Sequence, residues 1–142
     1  TYKLLHVPDN LSDEAVKTII KEKDVKDIIK NIYNADILIY GIGRAYKMAK
    51  RRGMSEDKIG EIQLKGAVGE AFGYYFDKQG KIIYSTPSIG IKNERIGKIK
   101  TLIAVAGGSS KAEAMLAVER NNRNSILITD EGAARQIVKF IK

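Results

Sequence analysis

Three times this chain runs through a short, continuous apolar stretch, turns at glycine or acidic residues, and enters a helical pattern: "ILIYGIGRAYKMA", "LIAVAGGSSKAEAM" and "SILITDEGAARQIV". Strands that are apolar throughout, not just at alternate positions, read as buried on both faces. Parallel neighbours of that kind need a crossover between them, usually a helix. The pattern therefore predicts an α/β unit with a Rossmann-like parallel sheet and helices on both faces. In such sheets ligands bind beyond the carboxyl ends of the strands, which here are the loops "IYGIGR", "VAGGSSK" and "ITDEGAA".

The remaining segments fit around that frame. "YKLLHV" (Tyr2 to Val7) is a β-type run closed by the turn signal Pro8-Asp9-Asn10. Ser12 is a plausible N-cap for a helix bearing Val16, Ile19 and Ile20, and a second helix runs through Val25, Ile28, Ile29 and Ile32. Ser55, followed by Glu56 and Asp57, opens a helix to Ile62. The aromatic "EAFGYYFDKQGKIIY" predicts a hairpin turning at Asp77 to Gly80, with a loop around Pro87 after it.

A chain of 142 residues is the size of one domain, and no repeat or linker divides it. It has no cysteine and one histidine, His6, so thiolate chemistry, catalytic triads and histidine-rich metal sites lack their parts. No cofactor is expected. Cysteine-free composition suits a cytoplasmic protein, and no apolar run or leader suggests a membrane. The net charge of +8 comes from scattered lysines, with Lys50-Arg51-Arg52 the one basic block, which reads as a solvated surface more than a nucleic-acid face.

The glycine corners carry the functional signal. In "GGSSK", Gly107 and Gly108 can bring backbone donors close to a ligand. Ser109 or Ser110 can cap the helix or bond a phosphate oxygen, and Lys111 adds a point charge. A Walker loop is absent, and an ordinary capped turn explains the same residues equally well. Gly41 and Gly43 resemble the start of a dinucleotide fingerprint, but Tyr46 stands where its third glycine belongs. Asp130 and Glu131 read as caps of the last helix, and Arg51 and Arg52 suit the end of another. Glu70 is the odd residue: its neighbours look buried, and a buried carboxylate needs partners, for which sugar hydroxyls would serve.

Taken together, "ADILIYGIGRAYKMAKRRGMS", "AVGEAFGYYFDKQGKIIY", "IAVAGGSSKAEA" and "ILITDEGAARQIV" resemble the C-terminal effector-binding domain of SorC-type bacterial transcription regulators. The resemblance runs over nearly the whole chain. It implies the fold of sugar-phosphate isomerases, deaminases and CoA transferases, used to sense a phosphorylated sugar such as fructose 1,6-bisphosphate without converting it. An isomerase or deaminase on the same fold is the alternative. Residue by residue, the resemblance implies that Arg51 and Lys111 contact phosphate and that Glu70 accepts hydrogen bonds from sugar hydroxyls. It also implies operator DNA as a partner through an N-terminal helix-turn-helix domain, and a homo-oligomer, dimer or tetramer. In the family that domain and an earlier glycine- and threonine-rich phosphate loop precede the segment seen here. Residues 1–142 are accordingly expected to be one unit, the C-terminal part of an effector domain.

Overall fold

The computed structural model describes residues 1–8 and 11–142. Helices α1 (Asp13–Ile19) and α2 (Lys23–Tyr33) lead into strand β1 (Ile37–Gly41), the two-residue β2 (Gly43–Arg44), and helices α3 (Ala45–Arg51) and α4 (Glu56–Leu64). Strands β3 (Ala67–Ala71), β4 (Tyr74–Asp77) and β5 (Ile82–Ser85) follow, then the short α5 (Asn93–Ile96). Strand β6 (Thr101–Val105), a 3-10 turn (Ser109–Lys111), α6 (Ala112–Asn121), β7 (Ser125–Ile128) and α7 (Glu131–Ile141) complete the order.

The expected caps form. The Ser12 hydroxyl accepts from the Ala15 N–H at 3.2 Å, and Ser55 accepts from that of Lys58 at 3.3 Å. The Asp130 carboxylate accepts from the N–H of Ala133 at 2.9 Å. Each satisfies one of the donors that the first turn of a helix leaves without an intrahelical partner.

Strands β1, β6 and β7 form a parallel sheet in that order, with Tyr40 opposite Ala104 and Ala104 opposite Leu127. This is the Rossmann-like class read from the three apolar runs, but burial of the strands on both faces, also read from them, is corrected, because α6 and α7 both pack against the row of Tyr40, Leu102 and Ala104. Tyr40, Leu102 and Ala104 lie in one buried cluster with Ala114, Met115, Ala117 and Val118 of α6 and Ala133 of α7. The alternate row is exposed: Ile37, Ile39, Val105, Ile126 and Ile128 each show between 46% and 67% of their surface.

A second sheet, antiparallel in the order β2-β3-β4-β5, is only partly foreseen by the hairpin reading. Its turn is where expected: Asp77 Oδ1 accepts from the N–H groups of Gln79 and Lys81, both at 2.9 Å, and Gly80 has φ +83°. Strand β3 joins the two layers. A Cβ on Gly69 would lie 2.8 Å from the Ala114 carbonyl oxygen, so β3 and α6 touch backbone to backbone.

One element expected from sequence is not there. Residues 2–7 form no strand; Tyr2 is 83% and Leu4 56% exposed, and His6 is exposed as well. Strand propensity needs a neighbouring ladder to express it, and none of the described strands pairs with this segment. Pro8 follows in irregular backbone, while Asp9 and Asn10 of the expected turn lie outside the described residues.

Candidate functional site

The carboxyl ends of β1 and β6 open onto a cavity of about 460 Å³. Gly41 and Gly43 form its floor with Ile42 and Val105, and Glu70 comes in from β3. Arg44, Lys47 and Arg51 line it from the start of α3 to its end, and Ser110 with Lys111 closes it from the corner after β6. The positions 44, 47, 48 and 51 are i, i+3, i+4 and i+7, so one face of α3 presents three cations and Met48 to the same space.

Electrostatics set this cavity apart. Among the described residues, none of Arg44, Lys47, Arg51 and Lys111 is within ion-pair distance of a carboxylate, although seven other cation–carboxylate contacts are present. Four cations left in this way around one opening make a concentrated positive field. Glu70 is the counterpoint. It is 3% exposed, and its Oε1 accepts from Arg52 Nη2 at 2.8 Å and from the Gly73 N–H at 2.7 Å. Burial, and after it the Glu70 charge, pushes the Tyr75 hydroxyl behind this pair up to about 12.

The corner "GGSSK" divides its labour. Gly108, at φ +95°, lies in the left-handed region that suits glycine. Its N–H donates to Asp130 Oδ2, and a Cβ on Gly107 would sit 2.8 Å from that same oxygen. Asp130 therefore ties the corner after β6 to the start of α7, and these two N–H contacts, that of Ala133 first, hold its carboxyl below the usual range. The expectation that the Gly108 N–H is offered to a ligand is corrected here, because that donor is already engaged. Gly107, Gly108 and Ser109 shape the corner, while Ser110 and Lys111 are the members that line the cavity.

Of the residues singled out from sequence, Gly41, Gly43, Arg51, Glu70, Ser110 and Lys111 are brought together. Sequence reasoning missed Arg44, Lys47 and Arg52. The helical spacing of 44, 47 and 51 was a usable signal for the first two. Nothing in "KRRG" distinguishes Arg51, which faces the cavity, from Arg52, which turns inward to Glu70. Among the described residues no group of three or more His, Asp or Glu side chains could hold a metal ion.

A parallel sheet with a cation-lined cavity at its carboxyl edge places that cavity where open α/β sheets bind their ligands. The family model described as "Putative sugar-binding domain" matches residues 1–139. The chain is 47% identical over 138 residues to the central glycolytic genes regulator of Priestia megaterium, covering 97% of this chain and 40% of that protein. To the central glycolytic genes regulator of Bacillus subtilis it is 45% identical over 139 residues, covering 98% and 41%. The solved structure of a SorC-family transcriptional regulator from Enterococcus faecalis superimposes with a TM-score of 0.87 at 39% identity, over 96% of this chain and 56% of that one. The chain belongs to the sugar-binding domain family of SorC-type transcriptional regulators. It spans about two fifths of the length of the curated relatives it matches.

Proposed function

We propose that the cavity at the ends of β1 and β6 binds a phosphorylated sugar, fructose 1,6-bisphosphate being the first candidate among glycolytic phosphosugars. The observation that carries this reading is the set of four cations that have no carboxylate within ion-pair distance among the described residues, around one buried carboxylate in a single cavity. Lys111, Arg51 and the Ser110 hydroxyl take phosphate oxygens, with Arg44 and Lys47 adding to the field. Glu70 takes sugar hydroxyls, since a carboxylate beside a phosphate would repel it. Gly41 and Gly43 let backbone approach the ligand, and Gly107, Gly108 and Ser109 hold the corner that aims Ser110 and Lys111.

In a longer regulator, of which this chain is the C-terminal part of the effector domain, occupancy is conveyed to an operator-binding helix-turn-helix domain and to homo-oligomer assembly in the cytoplasm. The relatives' greater length supports that setting. So does the membership of a regulator family, and among the described residues no helix is long and apolar enough to cross a membrane.

Titration calorimetry with fructose 1,6-bisphosphate, fructose 6-phosphate, fructose and inorganic phosphate tests the reading. The bisphosphate is expected to bind most tightly and free fructose least. Charge-assisted hydrogen bonds are worth about 1.5–3 kcal/mol each, so Lys111→Ala should weaken binding roughly ten- to a hundredfold. Arg51→Lys should weaken it too, because a planar fork is not replaced by a point charge. Equal affinity for sugars with and without phosphate would overturn the assignment.

A further inference from the structure

A second cavity, sharing no lining residue with the first, lies where α1 and α2 meet the segment between β5 and α5, and its volume is about 590 Å³. Its walls are mainly apolar: Val16 of α1 and Ile20 just after it, Ile29 and Tyr33 of α2, and Ile89, with Asn34 and Ser88 the neutral polar side chains among them. Both helices have the 3–4 apolar spacing of core-facing elements, yet neither contains a fully buried residue. Lys26, Lys30, Lys92 and Arg95 stand around this apolar floor, and among the described residues no carboxylate lines it. None of the four forms an ion pair among the described residues.

Arg95 adds an independent observation. Its guanidinium sits 5.3 Å from the centroid of the Tyr33 ring and donates through Nη2 to the Tyr33 carbonyl at 3.4 Å. Its Nε is buried and has no hydrogen-bond partner among the described residues. A buried donor without a partner costs stability, and in native structures such an orphan commonly marks a ligand, ion or water. Here the orphan is on a cation at an apolar wall, which calls for an anionic head attached to an apolar body.

We propose that this groove is a second binding site, for a small amphiphilic anion: a short alkyl or aryl group carrying a carboxylate or phosphate. The volume lies within the roughly 300–1,000 Å³ of small-molecule sites, and an apolar lining with a few polar groups is their usual composition. The apolar body lies against Val16, Ile20 and Ile29, and the head group meets Arg95 and Lys30. A sugar phosphate suits the site less well, because apart from Asn34 and Ser88 its hydroxyls would face the aliphatic walls of Val16, Ile20, Ile29 and Ile89 or the cations. The site is thus separate in place and in ligand class from the phosphosugar cavity.

The test is two-dimensional amide NMR of the 142-residue chain titrated with sodium octanoate, octan-1-ol and octylamine. Octanoate should produce saturable shifts at Ile29, Tyr33, Ile89 and Gly90, and octanol and octylamine should bind at least tenfold more weakly. Lys26→Glu and Lys30→Glu, both on exposed positions and so harmless to the core, should together weaken octanoate tenfold or more. Fructose 1,6-bisphosphate should neither compete nor shift these amides, whatever it does at Lys111. Equal binding of octanol or octylamine would overturn the proposal. So would indifference to the two charge reversals, the absence of saturable shifts, or shifts centred on Ile37, Ile39, Ile126 and Ile128. Binding of an acidic amphipathic peptide in the groove without octanoate binding would identify it as a protein-docking surface and overturn the small-ligand assignment.

Discussion

Arg51 and Arg52 are neighbours in sequence with opposite tasks. Arg51 is the last residue of α3 and faces the cavity; Arg52, one position further, has left the helical path and reaches a carboxylate that is 4% exposed, with only 18% of its own side chain in contact with solvent. Removing one member of a buried pair leaves the other charged and unsatisfied, which costs about 3–5 kcal/mol. Arg52→Ala should therefore lower stability by roughly that amount in a denaturant titration. Adding Glu70→Gln should restore part of the loss, because a buried charge no longer has to stand without its arginine; a double variant no more stable than Arg52→Ala would show that the pair is not the cause. The sequence makes Glu70 suspicious because a carboxylate stands among aromatics, and the burial read there is what the structure has. Its partner was beyond reach, since adjacent arginines at a helix end differ only in where the chain turns next.

At the scale of elements, the contact between β3 and α6 positions both sides of the cavity, because Glu70 is next to Gly69 and Lys111 immediately precedes α6. Gly69→Ala forces the two backbones apart against a carbonyl that cannot rotate away. Overpacking of this kind costs about 1–3 kcal/mol, and here it should also weaken phosphosugar binding without touching a ligand contact. Calorimetry of the variant checks both effects.

Two carboxylates near the ends of α6 and α7 respond to pH with opposite sign. Asp130 is held below its ordinary value, so its contribution is present above about pH 4 and is lost as pH falls through its lower folded value. Burial raises Glu119, more than the hydrogen bond donated by Ser125 lowers it. Its stabilising contribution is present below about pH 4.3 and is lost as pH rises through the raised folded value. Melting temperatures measured from about pH 3 to pH 8 should flatten on the acid side in Asp130→Asn, and towards neutral pH in Glu119→Gln. The corners themselves were legible, because apolar runs ending in Gly41, Gly107-Gly108 and Asp130 leave the chain few alternatives. Strand β2 and the antiparallel order of the second sheet were not, because a two-residue strand such as Gly43–Arg44 has no periodicity to read.

For the molecule as a whole, the parallel sheet has one packed face and one bare one. Leu102 is 4% exposed in the core while Ile39 is 67% exposed on the other side. Leu102→Ala should cost about 2–5 kcal/mol, whereas Ile39→Lys should change stability by no more than about 0.5 kcal/mol; chemical denaturation of the two variants distinguishes the faces. Sequence alone could not anticipate this asymmetry, since "ILIYG" is apolar at both alternate sets of positions. The strand order has a further, colloidal consequence. With β6 in the middle, β1 and β7 are both edges of the parallel sheet, and each carries isoleucines beside a row of main-chain groups without ladder partners in that sheet. Open edges of that kind template association between molecules. The net charge of +8 opposes such association, and that repulsion is screened within about 10 Å at 0.1 M salt. Light scattering from this chain should therefore rise as salt is added, and a lysine at position 39 should push that onset to higher salt.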